Sequence, residues 1–127
     1  MKKFKNLNVS TNEEGLVRII LNDPKTYNSL SLETINSLKL VLKLTNNDNK
    51  SKVIIIEGEG KGFSAGHNLK EIQSLKKRAS YKQLFSQCSN LMLQITNHNK
   101  PIIAKVHGAA FAAGCQLVAS CDLAYST

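Results

Sequence analysis

VIIIEGEGKGFSAGHNLKE, residues 53–71, decides the fold: four branched apolar residues run into a loop of small residues, and a helical pattern follows. An unbroken apolar run of that kind predicts a strand buried on both faces of a parallel sheet. The same order recurs in KPIIAKVHGAAFAAGCQL, residues 100–117. Loops at the carboxyl ends of neighbouring parallel strands share one edge of the sheet, where open α/β sheets bind ligands. Two such loops can aim backbone N–H groups at one point, the arrangement that stabilises a developing oxyanion. The small-residue loops themselves, 60–69 and 107–117, carry no carboxylate.

Outward from these loops the chain keeps alternating. LVRIIL, residues 16–21, reads as a strand ended by the turn signal Asn22-Asp23-Pro24. Ser31 suits a helix N-cap with Glu33 in the first turn, and Leu32, Ile35, Leu38, Val41 and Leu42 recur at helical spacing until TNNDNK, residues 45–50. Residues 69–77 read as helical. Residues 81–96 are the clearest helix, with Leu84, Phe85, Cys88, Leu91, Met92 and Ile95 as one apolar stripe. Pro101 starts a buried strand through Ile102, Ile103, Ala104 and Val106. Residues 113–121 read as a buried helix, and LAYS, residues 123–126, opens another strand. Strand and helix alternating through short connections predict an α/β fold with a largely parallel sheet, in one domain over residues 1–127 and without repeats.

At 127 residues the chain fits a single domain, and 42% hydrophobic with 6% aromatic residues fits a core of aliphatic side chains. No apolar run approaches the roughly 20 residues of a membrane span. MKKFKNLNVSTNEEG, residues 1–15, has no apolar segment behind its lysines, so it is not a secretory signal, and Glu13 and Glu14 argue against a transit peptide. The expected location is the cytoplasm, or the mitochondrial matrix in a eukaryote. Cys88, Cys115 and Cys121 form an odd set without a CxxC pair, which predicts free thiols. His67, His98 and His107 are too scattered for a metal site, and no cysteine sits in a nucleophile motif. The net charge is +8, and no acidic residue falls between residues 72 and 121, where Lys76, Lys77, Arg78, Lys82, Lys100 and Lys105 lie. That half of the chain would hold an anion.

Gly60, Gly62 and Ala65 satisfy the dinucleotide pattern G-x-G-x-x-A, but the acidic residue needed about 20 positions on is missing. A phosphate-binding P-loop fails because Lys61 is followed by Gly62 where Ser or Thr is required. The whole pattern reads differently. NDPKTYNSLS (22–31), FSAGHNLKE (63–71) and KPIIAKVHGAAFAAGCQLVASCDLAYS (100–126) together resemble the crotonase superfamily of enoyl-CoA hydratases and isomerases. The likeness runs from residue 16 to 127 and is nearest to a branch with SGHDL-like and AAGCQLVASCD-like sequences. It implies a ClpP/crotonase-like spiral of β-β-α units and an acyl-CoA thioester as ligand. Coenzyme A then comes as part of the substrate, and no separate cofactor is expected.

The resemblance also implies that the backbone N–H groups of His67 and Ala113 form the oxyanion hole. It places Ala65, Asn68 and Leu69 beside the adenine and Lys25 near the pantetheine or phosphate end. Physical chemistry agrees at one of these positions: Ala112-Ala113-Gly114 opens a helix whose free N–H groups and dipole favour negative charge. His67 stands where the family often has Ala, so a backbone role is expected of it. His107 stands where Asn is common, and a structural hydrogen bond is expected there.

The resemblance breaks at Gln116, the position of the family's first catalytic glutamate, immediately after its G-G-G-C run. A carboxamide can orient a water but accepts no proton at neutral pH. The second glutamate belongs to sequence beyond Thr127, and Asp122 reads as structural. Family domains are longer and form trimers or hexamers, so residues 1–127 read as the N-terminal part of one such domain, with most of that contact missing. Uncovered apolar faces, helix 113–121 among them, predict poor solubility or association. The expected function is therefore acyl-CoA binding in fatty-acid metabolism, with hydratase activity weak or absent. Two alternatives stand beside it: a basic module binding RNA through residues 76–78, and a gene fragment without function.

Overall fold

The computed structural model describes residues 2–127, with side chains from residue 4 onward. Its sheet starts with strands β1 (Lys2–Phe4), β2 (Leu7–Thr11) and β3 (Leu16–Leu21), paired antiparallel in that order. The hairpin β1–β2 was not anticipated from the sequence. Its signals are the alternating Leu7 and Val9, both buried, and Asn6, which takes the left-handed conformation (φ 63°) in the tight turn. Strands β4 (Val53–Gly58), β5 (Ile102–Val106) and β6 (Leu123–Ser126) then add side by side, each parallel to its predecessor, so spatial order equals chain order.

Helices α1 (Leu32–Asn47), α2 (Leu69–Ser74), α3 (Arg78–Thr96) and α4 (Ala113–Ser120) fill the three crossovers. Crossovers that all step the same way, with the usual right-handedness, bring their helices to one face of the sheet. That face holds the core: Val17, Ile19, Ile54, Ile56, Ile102 and Ala104 are fully buried beneath Ile35, Leu38, Leu42 and Leu91. The expected burial of residues 53–56 on both faces is corrected accordingly. Ile54 and Ile56 are inside, whereas Val53 and Ile55 face the other side and are half-buried.

Other boundaries moved by a few residues. The helix expected over 81–96 starts at Arg78, and the one expected over 69–77 ends at Ser74. Phe85 leaves the α3 stripe: Leu84, Cys88, Leu91, Met92 and Ile95 point inward, but Phe85 is 45% exposed. Its ring instead meets the His67 imidazole edge to face, with centroids 5.1 Å apart. Helix α4 is buried along one side only, at Ala113, Gly114 and Leu117, while Cys115, Gln116 and Ala119 are exposed.

Distant side chains help to satisfy both ends of α1. Ser31 Oγ accepts the Thr34 N–H at 3.2 Å, and the Glu71 carboxylate accepts the Leu32 N–H at 3.2 and 3.3 Å, which suits the positive end of the helix dipole. At the far end Lys100 Nζ donates to the carbonyls of Thr45, Asn46 and Asp48. Lys100 thus leaves the group of lysines expected to hold an anion, because terminal helix carbonyls compete for it.

Candidate functional site

Three segments meet at the carboxyl edge of the parallel strands: the turn 22–30, the loop 59–68 after β4 and the loop 107–112 after β5. The two loops join through a single parallel bridge between Ser64 and Ala110. Around it, Phe63 and Ser64 donate N–H to Ala109 O (3.0 and 3.3 Å), and Phe111 donates to Ser64 O (3.0 Å). The turn is pinned to the first loop from both sides. Ala65 N–H donates to Tyr27 O at 2.9 Å, Leu30 N–H to Gly66 O at 2.6 Å, and Ser64 Oγ to Asn28 O at 2.8 Å.

Asn28, which the sequence did not single out, is the centre of this network. It is 1% exposed and left-handed (φ 53°), and its Nδ2 faces the carbonyls of Glu59, Gly62 and Phe63 at 2.7, 3.2 and 3.2 Å. Its Oδ1 accepts the Asp23 N–H at 2.8 Å. One carboxamide therefore fixes both the turn and the loop, and these bonds offset the desolvation of a buried polar group. The available signal was an Asn following the Asn-Asp-Pro turn, since Asn tolerates left-handed backbone.

The backbone of the expected pair is brought together. A Cβ added at Gly66, the residue before His67, would lie 3.2 Å from Ala113 N and 2.8 Å from Phe111 O, so only glycine lets the loops approach this closely. Gly66 is also left-handed (φ 86°). Among the described residues, neither the His67 N–H nor the Ala113 N–H donates to a protein group. Ala113 is the first residue of α4, so its N–H is one of the four that a helix leaves unused.

The remaining candidates fall around the same edge. Lys25, Ala65, His67, Asn68 and Leu69 line one cavity of about 280 Å³ with Thr26, Ser29 and Lys70. Within it Asn68 has a structural role, because its Oδ1 accepts the N–H groups of Lys70 and Glu71 at 3.0 and 3.2 Å and so caps α2. Leu69 is 73% exposed and Lys25 exposed. On the other side of Ala65 a cavity of about 330 Å³ is walled by Tyr27 and Phe111 over Ser64 and Ala109. A separate hollow of about 440 Å³ between Phe4, Val41 and Asp48 lies under the hairpin and shares no residue with these loops.

The His67 ring Nδ1 is buried and has no hydrogen-bond partner among the described residues, with the Phe85 ring beside it. His107 bonds structurally, as expected, its Nε2–H donating to Gly60 O at 2.6 Å and tying the two loops. Asp122 also bonds structurally: it accepts the Ile102 N–H at 2.8 Å and extends the β5–β6 ladder. Gln116 is exposed on α4, and its carboxamide makes no hydrogen bond among the described residues. Among the described residues no group of His, Cys, Asp and Glu could hold a metal ion. Cys88, Cys115 and Cys121 are free, and burial, helped by Asp122, pushes the Cys121 thiol up to about 12. No described helix is long and apolar enough to cross a membrane.

Residues 11–127 match the family model described as enoyl-CoA hydratase/isomerase. Human enoyl-CoA hydratase domain-containing protein 3, mitochondrial, is 46% identical over 114 residues, which is 90% of this chain and 38% of that protein. The crystal structure of that human protein superposes with a TM-score of 0.90 at 43% identity, over 95% of this chain and 47% of the other. An enoyl-CoA hydratase from Mycobacterium smegmatis superposes with a TM-score of 0.93 at 40% identity, with the same coverage. The chain thus spans less than half the length of these relatives.

Proposed function

This chain belongs to the enoyl-CoA hydratase/isomerase family, of which it carries the N-terminal half in the crotonase α/β fold, and we propose that it binds acyl-CoA thioesters. In this reading the thioester oxygen sits between the N–H groups of His67 and Ala113. The observation that carries it is the close approach at Gly66, which sets two free N–H groups on adjoining segments. Fixed donors of this kind favour a developing enolate oxygen without reorganising. The α4 dipole adds to the effect at Ala113. The coenzyme portion runs past Ala65, Asn68 and Leu69 toward Lys25, which line one cavity. Acting on such substrates, the protein serves fatty-acid metabolism, in mitochondria if its source is eukaryotic and in the cytoplasm otherwise.

The hole alone polarises a carbonyl; hydration also needs a group that moves a proton. Gln116 stands at the family's first glutamate and cannot accept one. We therefore assign the chain acyl-CoA binding with hydratase activity weak or absent. Isothermal titration with a saturated acyl-CoA and with its thioether analogue, which lacks the carbonyl oxygen, tests the hole. Tighter binding of the thioester supports it, and equal affinities or no binding overturn it. Hydration of a short enoyl-CoA above the uncatalysed rate would overturn the assignment of weak activity. The nucleic-acid alternative draws no support from the relatives, and Lys76 and Lys77, between α2 and α3, and Arg78, the first residue of α3, are simply exposed.

A further inference from the structure

Arg78, Tyr81, Lys82, Phe85, Ser86 and Ser89 line a groove of about 470 Å³ along the first half of α3. Their spacing puts them on one face of the helix, beside the stripe that α3 buries in the core. The groove is joined to the candidate site by contact, since the Phe85 ring that walls it is the ring that meets His67. From Phe85 the helix places Lys82 about 4.5 Å and Arg78 about 10.5 Å farther along its axis. Tyr81 and Phe85 offer apolar walls, and the two cations stand at the far end.

Neither cation is neutralised. Among the described residues the ion pair present is Arg18 with Glu57, on the opposite side of the sheet, and no acidic residue lies between positions 72 and 121. A guanidinium and an ammonium one turn apart suit a carboxylate, which the planar guanidinium can bind through two N–H groups. We propose that this groove receives the distal part of the acyl group and that the acyl group ends in a second carboxylate: the ligand class is the ω-carboxyacyl-CoA. This inference rests on the acyl-CoA reading of the two loops, which supplies the starting point of the chain at His67. The acyl carbons cover Phe85 and Tyr81, and Lys82 and Arg78 take the terminal charge according to chain length.

The experiment is a titration of the 127-residue chain with an acyl-CoA, its ω-carboxy counterpart of equal length, and free coenzyme A. The proposal expects the ω-carboxy ligand to bind about ten-fold more tightly than the plain one, the scale of two solvent-exposed charge-assisted contacts. Arg78→Gln/Lys82→Gln should erase that preference. Equal binding of the two acyl ligands by the unsubstituted chain overturns the proposal and leaves the acyl-CoA reading standing. An equal loss for all three ligands in the double variant also overturns it, because the cations would then be reading the coenzyme phosphates. If no acyl ligand binds, both readings fall.

Discussion

Ala112 holds φ 48° and ψ −115° at the N-cap of α4, a conformation that L-residues adopt at a cost of about 1–3 kcal/mol. The sequence showed a small residue there and hid the strain, because φ is set by how the loop must turn to meet Gly66. Ala112→Gly releases that strain, and the extra entropy of the unfolded chain offsets part of the gain. The net expectation is a gain of about 1 kcal/mol, read as a higher urea midpoint; an unchanged or lower midpoint would contradict the strain. His98 offers a second test. Its Nδ1 accepts the Lys100 N–H at 3.1 Å, so Nε2 carries the proton and donates to Leu42 O at 3.1 Å. Burial, ahead of the neighbouring Lys100 charge, holds the imidazole below its ordinary value of 6.5 in the folded chain. A base depressed on folding stabilises fully above the unfolded value and loses that contribution as pH falls through the folded one. Stability should therefore decline below about pH 6.5, and His98→Gln should flatten that part of the curve. Identical slopes for the two proteins would rule the group out.

Elements here depend on residues far from them in sequence. Helix α1 ends without a basic residue in its own last turn, and Lys100, just before β5, caps its carbonyls instead. Lys100→Met keeps the side-chain length and removes the donors, which should cost about 1–2 kcal/mol of folding stability in denaturant titrations. A loss within error of zero would mean that water serves those carbonyls equally well. The same dependence explains what the helical pattern left unread. Ser31 and Glu33 mark the start of α1 locally, but Glu71 completes that cap from the other side of β4. Phe85 has the spacing of a core residue, and the neighbouring loop fills the space beside it with His67.

The molecule as a whole presents one covered and one uncovered sheet face. Register places Arg18, Ile55, Ile103 and Leu123 in one row on the uncovered side, with Lys105 beside Tyr125. Ile55 and Ile103 are half-buried there, while Leu123 is 66% and Tyr125 47% exposed. Parallel strands in stable proteins are covered on both faces, and an exposed apolar face promotes association. The 127-residue chain should therefore sediment as concentration-dependent oligomers, and Leu123→Lys/Tyr125→Lys should shift it toward monomer. A monodisperse monomer at every concentration would show that the face is tolerated in water.

Local pattern and composition determined the order of strands and helices from residue 16 onward, the cap at Ser31 and the small-residue loops, because periodicity and turn chemistry act over a few neighbouring residues. The motifs in those loops were enough to mark the family. They could not reveal that Asn28 fixes the turn to the loop, that Lys100 belongs to α1, or that Gly66 lies against Ala113 N. Those contacts join residues 31 to 55 positions apart, and a one-dimensional pattern carries no record of which distant groups will meet. Only the spiral of strands, by carrying successive crossovers along one face of the sheet, brought the two loops to a common edge with their N–H groups free.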